Sequence, residues 1–148
     1  MEKTISIIGG DARIVSLAEL MAVEQYKVYT YGIEKAEFEN SNIIKCKSLK
    51  EALCKSKKVI GPIPMNLDEK DVIKLKYSDE EITLEDLSNE FSNHIFLFGK
   101  SNDRIKNTLL QKDKNTEIID ILEIDTTYAK KGYKYKDIYN VFVGRNSE

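Results

Sequence analysis

A parallel β-sheet covered by helices on both faces is the fold that this chain predicts. Three observations lead to it. Short runs of apolar, β-branched residues alternate with amphipathic stretches along most of the sequence. The first run, Thr4 to Ile8, ends on Gly9-Gly10 and passes at once into a helical stripe. The chain has 148 residues, 41% hydrophobic and 32% charged, which suits one soluble globular domain with a proper core. Strand–helix alternation places strands parallel and buries both faces of the sheet.

The elements follow in order. Thr4 to Ile8 is β-branched and uncharged, so it reads as a buried strand. Asp11 is placed to cap the next helix, whose stripe is Ile14, Leu17, Ala18, Leu20 and Met21. Residues 27–31 form a second strand, stopped by Gly32, and residues 42–46 are a short extended piece. Ser48 caps a brief helix, LKEALCKS. Residues 58–61, within KVIGPIP, are a third strand that Pro62 and Pro64 end. Val72, Ile73 and Leu75 read as an edge strand or an irregular arm. Thr83 caps a helix through Leu84, Leu87 and Phe91, with Glu85 and Asp86 favourable in its first turn. HIFLFGKS, residues 94–101, is the most hydrophobic strand, and Ile105, Leu109 and Leu110 mark the helix after it. TEIIDILE is a fifth strand.

Right-handed crossovers arrange such strands in a doubly wound sheet, and five of them favour the flavodoxin-like order 2-1-3-4-5. The expectation is therefore α/β, flavodoxin-like or Rossmann-like, with about five parallel strands in three α/β/α layers. Residues 1–125 form that domain, and residues 126–148 a C-terminal extension, either a hairpin or a docking arm. Ligands of these sheets bind outside the carboxyl ends of the strands, at the switch point. The turns there are 9–13, 61–66 and 99–103.

Composition excludes several functions. The net charge of −2 gives no general attraction to nucleic acid or anionic membrane. No apolar run approaches the roughly 20 residues of a membrane span. MEKTISII lacks the basic region and long apolar core of a signal peptide, so the expected location is the cytoplasm. Cys46 and Cys54 have neither redox nor zinc spacing, and His94 is the single histidine. They read as two reduced, partly buried thiols, with no metal site and too few parts for a hydrolase triad. The acidic clusters at 68–71 and 78–81 read as solvated loops. YAKKGYKYK, residues 128–136, interleaves lysine with tyrosine. A docking surface for a partner or a second copy fits it better than nucleic acid, because the chain is acidic and the patch short.

The turn Gly9-Gly10-Asp11-Ala12-Arg13 carries the chemistry. Two glycines allow a sharp turn and a close ligand, and the helix start favours an anion. Arg13 can fork onto a carboxylate or phosphate. Asp11 works against a phosphate, and position 14 is Ile where a dinucleotide fingerprint needs glycine. The turn is thus no dinucleotide loop. It is either a small-anion or carboxylate site, or a structural turn in which Asp11 caps and Arg13 pairs with an acid.

IIGGDARIVSLAELM, VIGPIP and FLFGKSN together resemble the N-terminal domain of the dipicolinate synthase A-subunit family, over roughly residues 3–125. The Gly-Gly-Asp-x-Arg element is the most specific match. The resemblance implies a flavodoxin-like domain of a 2-hydroxyacid-dehydrogenase-like protein that makes dipicolinate from a dihydrodipicolinate-type dicarboxylate in endospore-forming bacteria, in the mother cell. It implies a flavoprotein partner, and NADP on a following Rossmann domain, so no cofactor in this chain. The sequence departs from the family after residue 131 with GYKYKDIYNVFVGRNSE, and the nucleotide domain is missing from these 148 residues.

Two functional readings follow. In the first, the chain is the substrate-side domain of such an oxidoreductase, inactive alone. Arg13 then holds a substrate carboxylate, Gly9, Gly10, Asp11 and Pro62 shape the pocket, and Ser101 and Asn102 add hydrogen bonds. In the second, it is a single-domain, non-catalytic ligand-binding or interaction module, and the lysine–tyrosine tail serves association as a homodimer. Neither reading supplies a general base.

Overall fold

The structure, a computed structural model, describes residues 3–62 and 67–90 in full. It also describes the backbone of 95–98, 103–112 and 117–120, with side chains at 107–111. The elements run β1 (Thr4–Ile8), α1 (Ala12–Val23), β2 (Lys27–Tyr31), β3 (Ile43–Lys45), α2 (Leu49–Lys55) and β4 (Lys58–Ile60). They continue with β5 (Val72–Ile73), β6 (Ile82–Thr83), α3 (Leu84–Glu90), β7 (Ile95–Phe98), α4 (Asp103–Lys112) and β8 (Glu117–Asp120).

Among the described residues the large sheet has six parallel strands in the order β3-β2-β1-β4-β7-β8. The five expected strands keep their 2-1-3-4-5 order. The extended piece at 42–46 adds a sixth at the outer edge. Three residues suffice there because flanking bonds lengthen the ladder: the Val28 amide donates to Asn42 O at 2.8 Å and the Cys46 amide to Thr30 O at 2.7 Å. Counted within this sheet alone, the order is 3-2-1-4-5-6, the arrangement of dinucleotide-binding sheets.

β1 is central and buried on both faces, which is why its sequence is almost continuously apolar. Ile5 and Ile7 meet Ile14, Leu17, Ala18, Met21 and Ala22 of α1 in one core. Ile8 joins Ala52 and Leu53 of α2, Leu84 and Leu87 of α3 and Leu109 of α4 in the other. Ser6 shares that second face. Its hydroxyl is buried and donates to the Ala52 carbonyl at 2.5 Å, so the fully buried polar side chain of β1 is satisfied.

The helix starts are those expected. The Asp11 carboxylate accepts from the Arg13 amide at 2.9 Å, and Ser48 Oγ from the Glu51 amide at 3.1 Å. Thr83 Oγ1 accepts from the Asp86 amide at 2.9 Å, while the Asp86 carboxylate accepts from the Thr83 amide at 3.2 Å. This is a reciprocal capping box with aspartate in the usual glutamate position.

The arm around Val72 becomes a separate two-stranded antiparallel sheet, β5 with β6. Ile73 and Ile82 seat it on the second core. Its acidic connection is not merely solvated, as the sequence suggests. Asp79 stays exposed, yet its amide donates to Glu34 Oε2 at 2.8 Å and its carboxylate pairs with Lys35 at 2.5 Å. The cysteines are both free, as expected, but only Cys46 is partly buried; Cys54 is exposed. Burial, reinforced by the nearby Glu51 charge and opposed by Lys55, pushes the Cys46 thiol up to about 11.

Two measurements check this packing. Gly61 has φ +103°, and a Cβ there would overlap the Ile8 carbonyl oxygen. Gly61→Ala should therefore lower the unfolding free energy by about 3 kcal/mol, from backbone strain plus overpacking, as read by urea titration. Thiol titration with a chromogenic disulfide near pH 8 should count one fast group, the exposed Cys54, and one much slower group, Cys46, that speeds up on unfolding.

Candidate ligand site at the switch point

The chain leaves β1 toward β2 and β3, then returns on the other side as β4. The carboxyl ends of β1 and β4 therefore flank the switch point. The turn after β1 supplies Gly9, Gly10 and Asp11 to that crevice, and the turn after β4 supplies Gly61 and Pro62. Gly9 has φ +57°, and a Cβ on it would meet Pro62 at 3.4 Å, so the two turns are in contact. Four of the expected site residues, Gly9, Gly10, Asp11 and Arg13, thus lie in the turn after β1 and the first helical turn of α1, with Pro62 against Gly9. Ser101 and Asn102 lie outside the described residues, as do His94 and the tail at 128–136.

Asp11 and Arg13 form a local pair. Arg13 Nε donates to both carboxylate oxygens, at 3.0 and 3.1 Å, and an Nη lies 2.9 Å from Oδ2. Of the two readings of this turn, the capping aspartate is plainly observed, and the acid that meets Arg13 is the cap itself. The carboxylate stands at the head of α1, where a bound phosphate stands in nucleotide-binding turns. Partial burial works against ionising Asp11, but the Arg13 bonds and the charges of Arg13 and Lys76 outweigh it and hold the group below its ordinary 3.8. The Arg13 side chain remains 42% exposed.

One neighbour was not foreseen from the sequence. Leu75 lies over both glycine turns: a Cβ on Gly9 would come within 2.6 Å of its Cδ2, and one on Gly32 within 3.1 Å of its Cδ1. Leu75 packs with the second core, while Tyr77 packs with the first. Residues 74–77 therefore cross the carboxyl edge of the sheet from one face to the other, as a strap. The Lys35 amide fastens it by donating to Tyr77 O at 2.8 Å. Glu34 fastens it too. Burial opposes its ionisation, but bonds from Ser78 and the Asp79 amide outweigh this and lower its pKa. Tyr31, at the end of β2, is pushed up by burial and then by the charges of Glu80, Glu34 and Asp86, so its phenol stays protonated. The signal for the strap was the alternation of Ile73, Leu75 and Tyr77 with Lys74 and Lys76, too short to distinguish a strap from an edge strand.

Among the described residues no group of three His, Cys, Asp or Glu could hold a metal ion. No helix among them is long and apolar enough to cross a membrane.

Asp11 gives a pH prediction. Its depressed pKa contributes stability that is present above pH 4 and is lost as pH falls through the folded value. Asp11→Ala should cost about 1 kcal/mol at neutral pH through the lost cap, and the deficit should shrink in acid. Thermal unfolding of both proteins between pH 7 and pH 3 checks this.

The family model of the dipicolinate synthase A-subunit N-terminal domain matches residues 4–122. Among solved structures, the dipicolinate synthase A-subunit from Bacillus halodurans is similar at TM-score 0.62 and 20% identity, over 82% of this chain and 41% of that one. The A chain of dipicolinate synthase from Bacillus subtilis is similar at TM-score 0.63 and 21% identity, over 83% and 41%. An imine reductase from Bacillus cereus is similar at TM-score 0.60 and 16% identity, over 80% and 40%. At these identities the structural likeness is one of fold, and this chain spans 41% of the length of either dipicolinate synthase chain. No curated protein sequence matches it. The family match runs from the first residue of β1 to just past β8 and takes in the glycine turn, the strap and the Gly61-Pro62 turn, and on that ground the chain belongs to the dipicolinate synthase A-subunit N-terminal domain family.

Proposed function

We propose that this chain is the substrate-side domain of a dipicolinate-synthase-like oxidoreductase, and that its ligand is a dihydrodipicolinate-type dicarboxylate. The observation that carries this reading is the placement of Arg13 at the switch point of a sheet whose family membership is shown. Asp11 orients the guanidinium through its bonds to Nε and Nη, and the exposed part of the group meets a ligand carboxylate. Lys76, close enough to act on Asp11, adds positive charge at the same mouth. Gly9, Gly10 and Pro62 shape the pocket, and Ser101 and Asn102 add hydrogen bonds.

In this reading hydride transfer belongs to a second domain that carries NADP, and the chain alone is inactive. A flavoprotein is the partner, and the setting is the cytoplasm of the mother cell of a sporulating bacterium. The paired state of Arg13 favours a second reading, a non-catalytic ligand-binding or interaction module on the same fold, because part of the cation's charge is already answered within the turn.

Isothermal titration with pyridine-2,6-dicarboxylate separates the two. The first reading expects saturable binding that Arg13→Ala weakens at least tenfold, the loss of about 1.4 kcal/mol or more expected for a charged hydrogen bond. Binding that is absent, or that ignores Arg13→Ala, overturns it in favour of the second.

A further inference from the structure

The sheet has the strand order of a dinucleotide-binding domain and a glycine turn at its switch point, so what the turn admits is a question of its own. A dinucleotide on such a sheet needs three things: anion room at the head of the first helix, open backbone over the glycine turn, and an acid beyond the second strand for a ribose hydroxyl. Each position exists here, and each is taken by the chain itself. The Asp11 carboxylate stands at the head of α1 and accepts from the Arg13 amide at 2.9 Å. Leu75 stands over Gly9 and Gly32, near enough that a methyl on Gly9 would collide with it at 2.6 Å. Glu34, three residues beyond β2, receives the Asp79 amide at 2.8 Å. The residues present do not fit a nucleotide.

We propose that Leu75 is a specificity-determining residue: carried on the strap at 74–79, it fills the crevice over the ends of β1 and β2 and bars nucleotides from the glycine turn, reserving that turn for a small ligand. The strap is built to stay in place. It is anchored at Glu34 by Asp79, at Lys35 by a backbone bond and an ion pair, and in both cores by Leu75 and Tyr77. The proposal rests on the functional reading above only for the nature of the small ligand; the exclusion of nucleotides stands on the strap.

The test is amide-shift NMR of the full chain titrated with ADP, for the wild type, Leu75→Ala and Leu75→Val. Leu75→Ala vacates the crevice, and Leu75→Val, a smaller change at the same position, opens it in part with less disturbance of the second core. The expected result is no saturable shift at Gly9, Gly10 or Gly32 in the wild type, and saturable shifts in the variants with affinity raised at least about tenfold, the scale of one hydrophobic position opened or filled. If Leu75→Ala loses its dispersed spectrum, Leu75→Val carries the comparison. Saturation of the wild type by ADP at those amides overturns the proposal, as does the failure of every folded variant to gain binding. Pyridine-2,6-dicarboxylate is titrated in parallel: its failure to bind the wild type overturns the dicarboxylate reading, and the ADP series still judges Leu75.

Discussion

The close approach of the turn after β4 to the end of β1 is the constraint on which the rest of the site depends. It exists because position 61 carries no Cβ: with one, the turn would collide with the Ile8 carbonyl oxygen. That contact draws Pro62 against Gly9 and sets the width of the crevice at the switch point. The burial of β1 between two cores then makes the crevice floor rigid, since neither face can shift without opening packed side chains. The glycine turn on such a floor is held in one conformation.

The strap covers the carboxyl edge of the sheet above both glycine turns. Its hold is spread over two hydrophobic contacts and several hydrogen bonds, none of them large alone. Exposed ion pairs such as Lys35–Asp79 contribute little, and the packing of Leu75 and Tyr77 contributes more. The same segment that closes the nucleotide position brings Lys76 close enough to influence Asp11. One short stretch thus covers the glycine turns and places a positive charge beside Asp11.

Much of the fold was legible because its signals are local. β-branched runs ending in glycine marked β1 and β2, and Asp11, Ser48 and Thr83 marked helix starts through their own backbone bonds. β3 was seen only as an extended piece, because three residues carry too little pattern to show that they pair with β2. The residues of the glycine turn were readable for the same local reason. Their state was not. That the acid answering Arg13 is its own helix cap follows from the capping geometry, which brings the carboxylate back over the turn.

The sequence by itself determined the α/β class, the alternation of strands and helices, the helix caps and the turn that meets the switch point, since each rests on side chains and backbone within a few residues of one another. The tertiary structure alone decided that β3 joins the sheet, that residues 74–77 cross its edge, and that Leu75 lies on glycines 66 and 43 positions away. Such contacts depend on how distant segments fill one shared volume, and no local pattern encodes which leucine will stand over which glycine.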